Sequence, residues 1–163
     1  MTPDPYRHRV NSLAIIASAG FAGANLFIGL SIGTYWLSLD PIDFMNRFGP
    51  QFHRFLFTIM PLFLLTLIGI VLSLRLDRQV PAIRRIWWRA VLAYVALSMI
   101  TLAYHMPENL RLLAANYTAA EADAARTFWL LGHIPRVILA LLIPWFVFQA
   151  IAVRLDDPVQ DTS

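Results

Sequence analysis

The chain has 163 residues, of which 58% are hydrophobic and 14% charged, with 13 basic against 10 acidic side chains. Soluble domains run nearer a quarter charged, so a water-soluble globule is excluded and one membrane-embedded domain is expected. Cysteine is absent, which excludes disulfides, thiolate metal sites and cysteine nucleophiles, and the net +3 sits on Arg residues at the margins of apolar runs rather than on the basic stripe that nucleic acid requires.

Residues 1–10 are polar and read as an N-terminal tail. The first apolar run, about 11–39, can cross a hydrocarbon core of about 30 Å. It is too long for a cleavable signal and has no small-residue cleavage site after a short core. Gly29-x-x-x-Gly33 and the small-residue face Ala19, Gly20 and Gly23 would let other helices approach closely. Asn25 lies near its middle, and Tyr35 and Trp36 read as an interfacial belt. Asp40 suits an N-cap, Pro41 a first helical position and Gly49 a C-terminal stop, so 41–48 is expected to be a short interfacial helix. The second span follows at about 51–75, with His53 at its mouth and Pro61 inside, where a kink is expected.

Arg75, Arg78, Arg84, Arg85 and Arg89 crowd the link to the third span, about 86–106, and Trp87 and Trp88 read as a second belt. Along this span Tyr94, Ser98, Thr101 and His105 recur at i, i+4, i+7 and i+11, one helical stripe. Pro107 interrupts, and 108–115 is expected to be a short amphipathic element. Thr118-Ala-Ala-Glu121 has the capping-box pattern, so the fourth helix should begin before its membrane part, about 127–153. Residues 156–163 read as a disordered tail. The fold class is all-α: a four-transmembrane-helix bundle over 11–155, with a short interfacial helix in each outer loop.

Four spans put both termini on one side. That side holds Arg7, Arg9, Arg75, Arg78, Arg84, Arg85, Arg89 and Arg154; the other holds Arg47, Arg54, Arg111 and Arg126. The bias predicts cytoplasmic termini, as in a bacterial inner-membrane protein. Polar residues of all four spans then fall in the outer half, which predicts an outward-facing polar pocket. Its centre is the fourth span, where Trp129, His133 and Arg136 at i, i+4 and i+7 share an arc of about 60°. An intramembrane Arg is costly and should face protein or water. Beside it the neutral form of His133 is favoured, as a base, a ligand or a helix–helix hydrogen bond. Glu108 is the one acid near this level, free to pair with Arg136 or with solvent. His53, His105 and His133 are weak metal candidates. No HxxxH or ExxH spacing and no intramembrane carboxylate supports them, so no cofactor is predicted, although haem or a His-bound metal stays open.

Pro107-x-Asn109 with Trp129-x3-His133-x2-Arg136 resembles the anthrone oxygenase-like family of small four-helix membrane proteins, many of them bacterial and known as a domain of unknown function. Gly132 and His105 stand where that family commonly carries other residues. The resemblance implies an oxidoreductase that oxidises a lipid-soluble anthrone or electron-rich phenol with dioxygen, without a metal or organic cofactor. In such a reaction His133 would act as general base, with Arg136 and Asn109 stabilising the enolate. Trp129 would stack on the ring, and Asn25, His105 and Thr101 would complete the substrate site. Two other readings stay open. One is a non-enzymatic accessory or scaffold subunit of a membrane complex, using Gly29-x-x-x-Gly33 as a contact. The other is a carrier of quinone, haem or metal in the same pocket.

Overall fold

The computed structural model describes residues 4–114 and 116–156. Among these the chain forms four long helices: α1, Pro5–Ser38; α2, Pro41–Leu76; α3, Pro81–Ala114; and α4, Ala119–Asp156. All four are long and apolar enough to cross a membrane. At 34 to 38 residues they exceed the roughly 20 that a span needs, so each runs beyond the hydrocarbon. This is the expected all-α bundle of an integral membrane protein. α1 packs mainly on α2 and α4, and α3 packs mainly on α4.

Several local expectations need correction. The helix begins inside the polar N-terminal segment, because the Asp4 carboxylate accepts the Tyr6 N–H at 2.9 Å and Pro5 opens the first turn. Residues 41–48 are no separate helix: they are the first turns of α2, which runs on through Gly49 and Pro50. A residue before proline normally leaves the helical region because its Cβ meets the proline ring, and Gly49 has none. The apparent stop signal is thus what lets the helix continue. The Asp40 cap itself is present, accepting the Ile42 N–H at 2.9 Å. Met106–Ala114 likewise continues α3 directly out of a π-helical turn at Thr101–His105, with Pro107 in its first turn. The Thr118–Glu121 capping box forms, and α4 starts at Ala119. α4 keeps its helix as far as Asp156; the rest of the expected tail, 157–163, lies outside the described residues.

The small residues act at other places than expected. Ala19, Gly20 and Gly23 are exposed, and a Cβ on Gly23 would meet nothing within 4 Å. The close crossing of α1 and α2 is at Gly69, where a Cβ would lie 2.6 Å from Ala14 Cα. Gly29 and Gly33 face α4, towards His133 and Leu130. The Gly-x-x-x-Gly motif is therefore spent inside the bundle.

Both aromatic belts split. Tyr35 and Trp88 remain exposed, while Trp36 and Trp87 are buried. Trp87 donates its indole N–H to Asp77 at 2.8 Å. Asp77 is also buried and pairs with Arg7, tying α1, the α2–α3 link and α3 together at one end. At the other end the buried Arg126 of α4 donates to the carbonyls of Trp36 and Leu39, at 2.6 and 2.8 Å, and pairs with Asp123. It thereby caps the C-terminus of α1, where helix carbonyls lack partners. Between these clasps lie an aliphatic core around Ile70, Ala90, Leu97 and Ile143 and an aromatic cluster of Trp36, Phe44, Phe48 and Trp129.

Gly69→Val should cost about 1–3 kcal/mol, because Ala14 backbone cannot give way. Gly23→Ala should change stability by less than about 0.5 kcal/mol. Unfolding midpoints in detergent micelles check the contrast.

Candidate functional site

α4 brings Trp129, His133 and Arg136 to one inward face. All three are buried, His133 at 2% and Arg136 at 8% exposure. The Trp129 and His133 rings stack, 5.1 Å apart and 12° from parallel. Trp129 donates its indole N–H to Asn109 Oδ1 of α3 at 2.7 Å. This unites the two halves of the Pro-x-Asn and Trp-His-Arg pattern in one contact.

The His133 hydrogen bonds define its tautomer. Nε2 lies 3.0 Å from the Asn25 carbonyl oxygen, which can only accept, so Nε2 carries the proton. Nδ1 faces Arg136 Nη1 at 3.5 Å, a group that can only donate. His133 is therefore a neutral imidazole with its lone pair on Nδ1. Arg136 Nη2 reaches the Asn25 side-chain oxygen at 3.4 Å, and the Asn25 amide is oriented by donating to Phe21 O at 2.9 Å. Asn25 thus serves both residues, one through its backbone and one through its side chain.

Two π-helical turns flank this level. That of α1, Ile28–Ile32, begins three residues beyond Asn25. It shifts the helical hydrogen-bond register next to the carbonyl that His133 uses. That of α3, Thr101–His105, delivers His105 to the same layer. Single π-turns inside α-helices are rare and recur at functional sites. The His105 ring stands edge-on to Trp129 at 4.9 Å and to His133 at 5.9 Å. It is fully buried, and beyond a weak approach to the Gly132 backbone neither ring nitrogen has a hydrogen-bond partner among the described residues. The neighbouring Tyr104 donates to Phe128 O at 2.7 Å, and its ring lies where a Cβ on residue 132 would be. Gly132 is thus the residue that lets α3 approach α4 at this level.

A cavity of about 120 Å³ adjoins the cluster. Arg136, His133, Trp129, Asn109 and Thr101 form its polar corner; the rest is mostly aromatic and aliphatic, from Phe48, Phe52 and Phe55 to Leu97. It is less polar than the sequence suggests, because Thr101 bonds the Leu97 carbonyl of its own helix at 2.8 Å. Leu56 and Met60 of α2 line it too and are partly exposed on the outside of the bundle.

Some candidates fall outside the cluster. His53 is exposed and bonds the Gly49 carbonyl at 2.8 Å, away from the other two imidazoles. No group of three or more His, Cys, Asp or Glu that could hold a metal exists among the described residues. Glu108 does not reach Arg136: it accepts the Tyr117 hydroxyl at 2.9 Å and pairs with Arg111 at 3.7 Å. In the connection beyond the spans, burial and the Glu108 acceptor push the Tyr117 phenol up to about 12.

Arg136 consequently has no carboxylate among the described residues. Its two hydrogen bonds are long, and Nε has no partner. The buried Arg126 has Asp123 and two carbonyls, and Arg7 has Asp77. Sequence reasoning counted Arg7 and Arg126 only as topology signals. The signal that could have identified them is an acid at i−3 for Arg126; nothing local links Arg7 to Asp77. No family model, curated protein or solved structure matches this chain.

Two arginine replacements should separate structure from site. Arg136→Met should leave stability unchanged or raise it by about 1 kcal/mol, since it removes a buried charge at the loss of only two long hydrogen bonds and strands no carboxylate among the described residues. Arg126→Met should cost about 1.5–3 kcal/mol, the loss of charged hydrogen bonds that cap α1. Thermal unfolding in micelles reads both.

Proposed function

We propose that this protein binds a lipid-soluble phenol or enol beside Trp129 and promotes its oxidation by dioxygen, as the resemblance to anthrone oxygenase-like proteins implies. The observation that carries this reading is the Arg136–His133 pair: a buried cation with no carboxylate partner among the described residues, next to a buried imidazole whose lone pair is on Nδ1, at a cavity. That arrangement suits a ligand that is neutral when it enters and anionic when it reacts.

Chemistry and charge balance on this assignment. The substrate C–H or O–H proton passes to His133 Nδ1. The imidazolium keeps its Nε2–H bond to the Asn25 carbonyl, which supports the positive ring. An imidazolium beside a guanidinium is unfavourable alone, and the enolate formed between them offsets the repulsion. Arg136 and Asn109 hold the developing oxyanion in surroundings of low dielectric. The electron-rich enolate then reacts with dioxygen. For an anthrone the sum is CH2 + O2 → C=O + H2O: the methylene carbon gives up four electrons and dioxygen takes them, one oxygen staying on carbon and one leaving as water. Trp129, fixed by Asn109, supplies a flat apolar face for the ring.

The same reading places the protein in a bacterial inner membrane with cytoplasmic termini and the site in the outer half, on the Arg distribution. Lacking cysteine, the chain suits single-cysteine mapping: Asn116→Cys should react with a membrane-impermeant maleimide in intact cells, and Gln79→Cys only after lysis. The opposite pattern inverts the orientation.

The chemical assignment is tested on 1,8-dihydroxyanthrone in air-equilibrated proteoliposomes. The purified protein should accelerate quinone formation over protein-free liposomes. His133→Ala and Arg136→Ala should each lower kcat by about 10²–10⁴-fold. Full turnover in either variant removes that residue from the chemistry.

A further inference from the structure

The inner cavity, about 120 Å³, is small for some of the ligands that its polar corner suits. An engineered apolar cavity of about 150 Å³ holds one benzene. The space beside Arg136 and His133 is therefore that of a single six-membered ring, and two or three fused rings exceed it. Most of its walls are fixed. Trp36, Phe48, Leu97 and Trp129 are buried in the bundle. On the His133 side the cavity ends: that ring is stacked on Trp129 and held by its Nε2 bond to the Asn25 carbonyl. Gly29 backs it so closely that a Cβ there would lie 3.1 Å from His133 Cδ2. The concavity between α1 and α4, on the far side of the ring, is closed off from the site.

Leu56 and Met60 of α2 are different. Each lines the cavity, and each is also exposed on the outside of the bundle, at 40% and 41%. All the other lining residues are buried or half-buried. At these two positions one side chain separates the cavity from what surrounds the bundle. They are about one helical turn apart and share a face with Phe63, which follows them at i+7 and i+3. The Phe63 ring stacks on Tyr94 of α3, 4.6 Å between centroids, so the two residues lie at the edge of α2 next to α3. Neither is β-branched, and neither carries a strong hydrogen-bonding group to tie it in place. Pro61 follows Met60 and has no N–H to give the Phe57 carbonyl, so the turn between Leu56 and Pro61 lacks one helical bond. This is the wall that can yield.

We propose that Leu56 and Met60 set the size of ligand that the site accepts. A single-ring phenol is held with both side chains in place. A fused-ring phenol or enol, such as an anthrone, is held with its oxygen at Arg136 and its far ring in the space these side chains vacate, at the α2–α3 edge. This rests on the head-site reading above and adds to it the residues that discriminate among substrates. The polar corner belongs to α3 and α4 and the yielding wall to α2, so charge recognition and size selection are carried by different helices.

The test uses phenol and 1,8-dihydroxyanthrone with the full chain in lipid nanodiscs under argon, where the anthrone is not turned over. Binding is read by titration calorimetry and corrected for uptake into protein-free discs of the same lipid. The readout is the ratio of anthrone to phenol affinity, which a general loss of folded protein does not move. Leu56→Ala combined with Met60→Ala should raise that ratio at least about tenfold, the discrimination that one methylene of pocket space supplies. Leu56→Trp and Met60→Trp, which thicken the wall, should each lower it at least about tenfold. A ratio that does not rise in the alanine pair, or that falls in neither tryptophan variant, overturns the size assignment, while phenol binding leaves the head site standing. Absence of phenol binding to the wild type, or phenol binding that Arg136→Gln does not weaken, overturns the head-site reading and the size assignment with it.

Discussion

The arrangement of one half of this bundle depends on one unbalanced charge. Arg136 is 92% removed from solvent, on the exposure of 8%, in a segment long and apolar enough to span a membrane. A guanidinium in such surroundings demands compensation. The bundle elsewhere shows how it compensates: at one end Arg7 meets Asp77, and at the other Arg126 meets Asp123 and two helix carbonyls. Those clasps hold helices together. Among the described residues Arg136 receives only an amide oxygen and an imidazole nitrogen, both at long range. A chain that places carboxylates against Arg7 and the buried Arg126, and none of its described residues against Arg136, accepts a loss of stability at this position. Losses of that kind concentrate where a protein works.

The backbone is shaped around the same point. Both π-turns lie at the level of His133, one in each helix that contributes a polar neighbour. Each adds a residue to the helical ladder and turns the following side chains. In α1 the shift borders the Asn25 carbonyl, which accepts from His133. In α3 it sets His105 against Trp129 and His133, and Gly132 leaves room for the Tyr104 ring beside it. Irregular backbone within a span is tolerated only where protein or a cavity takes up the displaced polar groups. Here the cluster of ring nitrogens and carbonyls fulfils that condition on one side and the cavity on the other.

Much of this was legible in the residues, and what was not has a physical cause. The helical period alone put Trp129, His133 and Arg136 on one face, and the cost of intramembrane charge turned that face inward. Asn25, Asn109, Thr101 and His105 were legible as polar residues of the same half of the bundle. Capping chemistry fixed the starts of α2 and α4 because it is local. The errors came where a local signal has two physical outcomes. Gly49 reads as a stop, yet a glycine is also the residue that tolerates a helical turn before proline. Adjacent aromatics at a span end read as a belt, yet neighbours about 100° apart on a helix cannot both face lipid, and Trp36 and Trp87 went inward. The π-turns, the α1–α2 crossing at Gly69 and the pairing of Arg7 with Asp77 have no local signature. They arise from contacts between helices that sequence spacing does not rank.

The fate of Gly29-x-x-x-Gly33 bears on the competing reading of the chain as a scaffold. In lipid, small-residue motifs drive helix association because they allow close backbone contact. A scaffold would present such a motif outward. Here it is turned to α4, and a Cβ on Gly33 would come 2.7 Å from Leu130 Cδ2. The small residues left outside, Ala19, Gly20 and Gly23, are on the outer surface of α1 in the stretch before Asn25. They lie away from His133 and Arg136, whose contacts are all made within the chain. The polar cluster is closed within a single copy of the chain, and that is why we propose for it a ligand that becomes anionic beside Arg136.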